Sequence, residues 1–207
     1  MVLIGLTGGI ASGKSTAAEV LKQLGAVVVD GDRLGHRAYE PGSPGFQKVV
    51  NEFGHEIVAR DGTINRTILG GKVFGAPDQM KRLTDIVWPE IRRMAKAEIA
   101  DARRRGAAVV VLEAAVLIEA GWQDLVDEVW VISVKSQTAR ERLMARNNLS
   151  ADAAQARIAS QLSNRERERH ADVKIDNSGT IEQFERRLFL QWKKLERRAA
   201  QPAGSRR

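Results

Sequence analysis

The 207-residue chain contains no cysteine, which excludes disulfide bonds and metal sites with cysteine ligands. It also lacks any run of about 18 apolar residues, the length that a membrane-spanning helix needs. No basic segment precedes its apolar N-terminus, so the start of the chain does not resemble a secretory signal peptide. From these absences we predict a cytoplasmic protein without a membrane span.

Aromatic side chains make up 5% of the chain, whereas the formal net charge is +7. Such a charge suits either a nucleic acid or a phosphate-rich small molecule. Proteins that bind single-stranded nucleic acids interleave basic with aromatic residues, and that pattern is missing here. The three histidines lie far apart and no nucleophile elbow occurs, so zinc catalysis and acyl transfer have no support. We predict small-molecule substrates and no nucleic-acid partner.

A glycine-rich segment near the start of the chain carries the clearest signal for function. Four of the five residues 2–6 are apolar, and residues 8–15 then fit the pattern G-x-x-x-x-G-K-[ST] of a phosphate-binding loop. Apolar residues at helical spacing follow, which places the loop between a strand and a helix N-terminus. A glycine-rich turn that ends in Lys-Ser by chance is the alternative. The motif predicts that ATP is bound by Gly8, Gly9, Ile10, Ala11, Ser12, Gly13, Lys14, Ser15 and Thr16, with the Ser15 hydroxyl on Mg²⁺.

Five short apolar or β-prone runs predict the strands of an α/β fold. Buried runs that alternate with helices are typical of a mainly parallel sheet, here five-stranded, between layers of helices. We predict a core of residues 1–36 and 107–199, a helical acceptor-binding insertion at 37–106, and a disordered tail at 200–207. The predicted strands occupy residues 2–6, 26–29, 107–112, 129–134 and 171–179.

Two helical patterns stand out in the insertion. One has apolar residues at helical spacing over residues 46–53 and ends at Gly54. A longer one begins at residues 88–89, Trp-Pro, and ends at residues 103–106, Arg-Arg-Arg-Gly. Insertions of this kind in phosphotransferases commonly bind the acceptor substrate.

Asp30, Gly31 and Asp32 directly follow the second predicted strand. If the backbone stays extended there, both carboxylates point the same way at the carboxyl end of the strand, where open α/β sheets bind ligands. This arrangement would provide a general base beside the γ-phosphate. The alternative is an Asp-Gly turn whose acids are solvated.

Glu113 follows the third predicted strand. A carboxylate in this place can support Mg²⁺, often through a water molecule. The alternative is a carboxylate that only marks the start of a helix.

Residues 136–170 are predicted to form two helices. Arg142 and Arg146 share a face of the first, and Arg157 and Gln161 share a face of the second. Arginines on a mobile helical pair can close over a triphosphate and stabilise charge while the γ-phosphoryl group moves. The alternative is an exposed helix pair with salt bridges.

The end of the chain predicts one more strand and a helix. Residues 171–179 give a short strand with a polar turn. If that strand is parallel, the turn lies at the same sheet edge as the phosphate loop and can contact an adenine. Residues 180–183 fit a capping box. The final helix is amphipathic, and its predicted core face is Ile181, Phe184, Leu188, Trp192 and Leu195.

Taken in order, these pieces resemble the dephospho-CoA kinase family over nearly the whole chain, from residue 2 to about residue 195. The phosphate loop alone is specific only to a superfamily, whereas the ordered set is specific to this family. The matching positions are residues 8–16, 29–32 with His36, 61–66, Leu69 with Phe74, Arg142, Arg146, Arg157 with Gln161, 171–172 and 176–179.

The resemblance implies a three-layer P-loop kinase fold with residues 136–170 as a helical lid, present as a monomer or small homo-oligomer. It implies that the γ-phosphoryl group of ATP moves to the 3′-hydroxyl of dephospho-CoA in the presence of Mg²⁺. Asp32 would orient that hydroxyl and accept its proton. The expected catalytic residues are Asp32, Lys14, Arg142 and Arg146. Beyond the loop, Arg142 and Asn177 would contact ATP. The acceptor would be contacted by Asp32, His36, Arg66 and Glu119. Ser15 would bind Mg²⁺ directly, and Glu113 would bind it through water.

One stretch departs from many bacterial members of that family. They have Asp-x-Pro-Leu-Leu-Phe-Glu where residues 113–119 are Glu-Ala-Ala-Val-Leu-Ile-Glu. This stretch, together with residues 36–42 and 83–89, looks like the kinase part of the animal bifunctional coenzyme A synthase. The departure affects the expected acceptor contacts and leaves the phosphate-binding residues unchanged.

Two other functions fit part of the sequence. A different P-loop small-molecule kinase, acting on a nucleoside, shikimate or gluconate, would share every phosphate-binding feature, although the long insertion and residues 61–66 argue for a larger acceptor. A nucleic-acid-associated P-loop ATPase would suit the positive charge. Such an ATPase is expected to have a hydrophobic run that ends in Asp-Glu, and the sequence has none.

Overall fold

The computed structural model describes residues 1–200, with residue 200 described by its backbone alone. The tail predicted at 200–207 therefore falls outside the described side chains. The described residues divide into two compact units: residues 1–29 with residues 101–200, and residues 30–100. Within residues 1–200, no helix combines the length and the apolar character needed to cross a membrane.

A five-stranded sheet confirms the predicted α/β class. Each predicted run overlaps one of its strands, which are β1 (Val2–Gly8), β2 (Val27–Asp30), β3 (Val109–Glu113), β4 (Glu128–Ser133) and β5 (Val173–Asp176). Their order in the sheet is β2-β3-β1-β4-β5. Strand β1 pairs in parallel with β3 and β4, and β4 pairs in parallel with β5. The carboxyl ends of these strands therefore lie at one edge of the sheet, where open α/β sheets bind ligands.

Two helices of the first unit pack against this sheet, α1 (Lys14–Gln23) and α9 (Ile181–Ala200). The predicted capping box starts α9, because the Thr180 and Gln183 side chains each accept the other's backbone N–H. The prediction that Ile181 belongs to the core face of α9 is wrong, since this residue is 47% exposed. Burying each of the others contributes about 1.5–3 kcal/mol relative to exposure; they are Phe184, Leu188, Trp192 and Leu195.

The second unit is helical, with one isolated antiparallel bridge between Val58 and Ile64. The helix predicted at 46–53 is confirmed: the Ser43 hydroxyl caps its start by accepting the Phe46 N–H at 3.0 Å, and Gly54 ends it. The helices of this unit are α2 (Gly31–Arg37), α3 (Pro44–Phe53), α4 (Arg66–Val73) and most of α5 (Pro77–Arg104).

The predicted start of α5 is wrong. The helix begins at Pro77 rather than at residue 88, and Pro89 lies inside it. Proline is favoured in a first helical turn, and residues 88–89 therefore resemble a helix start. The buried residues Val87, Ile91 and Ala95 continue the apolar face across the proline, so burial outweighs its lost backbone hydrogen bond.

Residues 136–170 contain three helices where two were predicted. The additional helix starts with a reciprocal capping box between Ser163 and Glu166. The second helix ends before Gln161, so the prediction that Arg157 and Gln161 share one face of a helix is wrong. The three helices are α6 (Ser136–Asn147), α7 (Ala151–Ala159) and α8 (Asn164–Glu168).

Candidate active site

The backbone between β1 and α1 forms a tight turn, closed by a hydrogen bond between two of its own residues. Ala11 (φ 59°) and Gly13 (φ 91°) adopt left-handed conformations, and the Ser12 N–H donates to the Gly9 carbonyl at 3.1 Å. Helix α1 then begins at Lys14. Successive N–H groups at a helix N-terminus supply the partial positive charge that binds phosphate.

The two glycines that the motif specifies, Gly8 and Gly13, are required by the packing around the loop. A Cβ atom at Gly8 would lie 2.5 Å from the Ile132 carbonyl oxygen and 2.6 Å from Ser12 Oγ. A Cβ atom at Gly13 would collide with the Asn177 side-chain amide, and the positive φ there also favours glycine. The glycines therefore let the loop lie directly against β4 and the turn after β5.

Glu113 is the last residue of β3 and lies beside two side chains of the loop. Its Oε1 atom is 2.8 Å from Lys14 Nζ and 3.0 Å from Ser15 Oγ. The Lys14 and Glu113 side chains are only 11% and 9% exposed. Because Glu113 ends a buried strand, it does not start a helix, and that alternative is excluded. The arrangement places an ammonium group, a hydroxyl and a carboxylate together at the edge of the loop.

The oxygen atoms of Ser15 and Glu113 suit Mg²⁺. Hydroxyl and carboxylate oxygens are hard donors, and protein-bound Mg²⁺ usually combines one or two protein ligands with substrate phosphates and water. In the described part of the chain, no group of three or more His, Cys, Asp or Glu side chains could hold a metal by itself. A magnesium ion here would therefore depend on the bound nucleotide for much of its coordination.

The structure brings Arg142 and Arg146 of α6 next to the phosphate loop. They border a cavity of about 260 Å³ in the first unit. Ile181 of α9 lines the same cavity, which accounts for its exposure. The full lining is Ala11, Gly13, Thr16, Arg142, Arg146, Asn177 and Ile181.

Asn177 supports the loop from the end of β5. Its side chain is buried, and its Nδ2 donates to the Ser12 carbonyl at 2.8 Å. Its backbone N–H donates to the Ser133 carbonyl at 2.8 Å. The amide therefore fixes the loop backbone as well as lining the cavity.

The turn that carries Asn177 is fixed by the preceding carboxylate. Although partial burial raises it, the pKa of Asp176 is held below its ordinary value of 3.8 by hydrogen bonds from Ser178 and by Arg187. Ser178 Oγ lies 2.6 Å from Asp176 Oδ1, and Arg187 Nη1 lies 2.8 Å from Oδ2. The ionised carboxylate thus stabilises the end of β5.

Two side chains beside the loop are absent from the predicted ATP and acceptor contacts. Gln161 Oε1 accepts the Ile10 N–H at 2.8 Å. Arg167 is only 1% exposed, and its Nη2 donates to Glu119 Oε1 at 3.0 Å. The alternating arginines of residues 165–169 indicate charge, but the sequence does not show which one turns inward. The Ser163/Glu166 capping box is a sequence signal that could have located the start of α8, although not which arginine is buried.

In the second unit, the backbone does not stay extended through residues 30–32, which was the condition for two carboxylates on one side of a strand. Helix α2 starts at Gly31, and Asp30 caps it by accepting the Arg33 N–H at 2.8 Å. The two carboxylates therefore do not line one side of a strand. Asp32 lies exposed in the first turn of the helix, which leaves it as the single candidate base of this pair.

The other candidate acceptor residues of this unit also lie on its helices. His36 is exposed in the last turn of α2. Arg66 begins α4, and its guanidinium lies 5.7 Å from the centre of the Tyr39 ring. A cation over an aromatic ring at this distance is attracted by the ring's quadrupole. This contact orients Arg66.

Comparison with known proteins gives one consistent family. A family model described as Dephospho-CoA kinase matches residues 2–183. A protein of that name from Geobacter sulfurreducens is 46% identical over 194 residues, which cover 94% of this chain and 98% of the relative. Two solved structures each match 94% of this chain and 97% of their own. TT1252 from Thermus thermophilus has a TM-score of 0.79 at 33% identity, and a dephospho-CoA kinase from Campylobacter jejuni has 0.70 at 26%.

Proposed function

The chain belongs to the dephospho-CoA kinase family, and on that basis we propose how its residues carry out the family's reaction. The γ-phosphoryl group of ATP is transferred to the 3′-hydroxyl of the dephospho-CoA ribose, which gives coenzyme A and ADP. The chain is thus an ATP-dependent phosphotransferase with an alcohol acceptor. The observation that carries this conclusion is the match at 46% identity over 98% of a relative that bears the activity's name. A different P-loop kinase or a nucleic-acid-associated ATPase is not favoured.

For the donor, the loop backbone and Lys14 bind the β- and γ-phosphates. Phosphoryl transfer passes through a loose transition state, so it depends on positioning and charge more than on covalent chemistry. The curled loop with its buried ammonium group supports this role. Arg142 and Arg146, which border the adjoining cavity, close over the donor and stabilise charge during transfer.

For the metal, Ser15 and Glu113 would hold Mg²⁺, with Glu113 acting through a water molecule. When bound, the ion neutralises charge on the phosphates. The shared Glu113 Oε1 contact with Lys14 and Ser15 supports this assignment. The same carboxylate then balances the Lys14 charge and orients the metal ligands.

For the acceptor, Asp32 orients the ribose hydroxyl and accepts its proton. Its exposed carboxylate in the first turn of α2, directly after β2, supports this role. Because the transition state is loose, orientation matters at least as much as basicity. His36 and Arg66 contact the rest of the acceptor.

The proposal also covers the substrate-binding segments, the oligomeric state and the cellular location of the enzyme. We assign residues 37–106 to acceptor binding and residues 136–170 to a lid over the donor. The enzyme acts in the cytoplasm, as a monomer or small homo-oligomer, without a nucleic-acid partner. Light scattering after size exclusion measures the oligomeric state, and salt-dependent binding to DNA or RNA would contradict the last point.

An ADP-release assay tests the acceptor assignment. The purified chain is given ATP, Mg²⁺ and, in separate reactions, dephospho-CoA, adenosine, shikimate or gluconate. We expect release of ADP only with dephospho-CoA. Release confined to one of the other acceptors would overturn the assignment, whereas ADP release without any acceptor would indicate an ATPase.

A further inference from the structure

Beside the phosphate loop, a buried arginine connects two segments of the first unit. Arg167 of α8 donates from Nη2 to Glu119 Oε1 at 3.0 Å and from Nη1 to the Leu162 carbonyl. Glu119 follows β3, and Leu162 precedes α8. The guanidinium therefore fixes the segment before α8 against the segment after β3.

The segment before α8 also reaches the phosphate loop. Leu162 directly follows Gln161, whose Oε1 accepts the Ile10 N–H at 2.8 Å. At the other end of the segment, Asn164 Nδ2 donates to the Val134 carbonyl at 2.7 Å. A continuous series of contacts thus runs from Arg167 through residues 161–162 to the loop.

The guanidinium also lies close to the backbone of the loop. A Cβ atom at Gly9 would lie 3.3 Å from Arg167 Nη1 and 3.8 Å from Gln161 Oε1. A side chain at Gly9 would therefore press on the guanidinium. The two residues form one wall against the Gly9–Ile10 part of the loop.

The Arg167–Glu119 ion pair is weak evidence of a gain in stability. Replacing a buried ion pair with apolar side chains is often neutral or stabilising, because desolvation of both charges is costly. Here the cost is greater, since Arg167 Nε and Glu119 Oε2 are buried without a hydrogen-bond partner in the described structure. A charge kept beside the phosphate loop under these conditions indicates a role in function.

We propose that Arg167 is a positioning residue that acts through Gln161 to fix the Gly9–Ile10 part of the loop in the shape that accepts the triphosphate. The proposal rests on the proposed function and deepens its donor site. Without Arg167, the Gln161 segment moves, the Ile10 N–H loses its partner, and nucleotide binding carries the cost of ordering the loop. The Oε1 atom of Glu119 holds the Arg167 guanidinium in this position.

The test measures nucleotide affinity by calorimetry and steady-state kinetics on the full chain. The variants are Gln161→Ala, Arg167→Met and their combination, and the control is Arg165→Met, an exposed arginine of the same helix. A lost hydrogen bond of ordinary strength corresponds to about a 5–10-fold weaker affinity. We expect a loss of about that size for ATP with each single variant, no further loss in the combination, and no change with Arg165→Met. The KM for dephospho-CoA stays unchanged.

Several outcomes would overturn the proposal. Additive losses in the combined variant would show that Arg167 does not act through Gln161. Unchanged or tighter ATP binding with Gln161→Ala would show that Gln161 has no part in shaping the loop, or that it competes with the nucleotide for the Ile10 N–H.

A second variant keeps the test decisive if Arg167→Met fails to fold. Arg167→Lys keeps the charge beside Glu119 but lacks the fork that also reaches the Leu162 carbonyl. We expect it to fold and to weaken ATP binding, and full ATP affinity would overturn the proposal. The test of Arg167 does not depend on the kinase activity itself. If the wild-type chain binds ATP but does not phosphorylate dephospho-CoA, the proposed function fails, yet the ATP affinities of the variants can still be compared.

Discussion

The ammonium nitrogen of Lys14 lies 2.8 Å from Glu113 Oε1, and the same oxygen accepts the Ser15 hydroxyl. One carboxylate oxygen thus contacts both loop side chains that we assign to the triphosphate and to Mg²⁺. Because Glu113 ends a buried strand, the sheet fixes its backbone. Glu113 therefore links the sheet to the ionic part of the donor site.

Glu113→Gln tests this link. The amide keeps the shape and one oxygen acceptor but removes the charge. Changing a residue that orients metal ligands typically costs about 10–100-fold in metal affinity or activity. We expect the Mg²⁺ concentration for half-maximal rate to rise by about that factor, measured from initial rates across a magnesium titration. Glu185→Gln, an exposed change on α9, is the control, and an unaltered magnesium requirement in Glu113→Gln would separate this residue from the metal.

Asp32→Asn tests the proposed base. The amide cannot accept the proton of the ribose hydroxyl, so turnover should fall by on the order of 10²-fold or more while ATP affinity stays nearly intact. Asp30→Asn is a matched control, because asparagine caps a helix as well as aspartate does and α2 should start unchanged. Near-normal turnover in Asp32→Asn would remove Asp32 as the base.

Arg142→Met and Arg146→Met test the cavity beside the loop. Each change removes a guanidinium from the wall of the same cavity. Losing a positioned cation that stabilises developing charge should lower kcat/KM for ATP by about 100–1,000-fold. Lysine at either position should restore only part of the loss, since it lacks the planar fork. Arg186→Met, an exposed residue of α9, should have no effect; equal losses in all three variants would point to net charge instead.

The pH dependence of stability tests Asp176. Its pKa in the folded chain is lowered from the ordinary value of 3.8, so its contribution is fully present above about pH 4 and is lost as the pH falls through the folded pKa. Asp176→Asn should lower Tm by a few degrees at neutral pH, as expected for a half-exposed ion pair. The difference in Tm from wild type should shrink below about pH 4. A difference that persists in acid would contradict an ionic origin.

The sheet and the core could be predicted because they depend on local apolar runs. Strands β1 to β4 each carry three or more consecutive aliphatic or aromatic residues, whereas β5 is shorter, mostly solvent-accessible and ends in Asp176. The helix before Gly54 was equally predictable, since its apolar period and its terminating glycine agree. The start of α5 was not, because Pro89 imitates a first turn and only tertiary burial shows that the helix continues through it.

The site was predictable where a motif fixes both the residue and the backbone. The loop and its glycines follow from the pattern, and the carboxyl edge of the sheet follows from parallel strands. Arg167 was missed because three alternating arginines look alike in sequence, and only the packing of α8 turns one of them inward. The helix start at Gly31 was not predictable, because Asp-Gly after a strand fits an extended segment, a turn and a helix cap equally well.

The most direct measurement of the central claim is the identity of the product. The chain is incubated with ATP, Mg²⁺ and dephospho-CoA, and the product is identified by mass spectrometry and phosphorus NMR. The account predicts coenzyme A with the new phosphate on the ribose 3′-oxygen, formed in equal amount to ADP. Phosphate at another position, or ADP formed without coenzyme A, would contradict it.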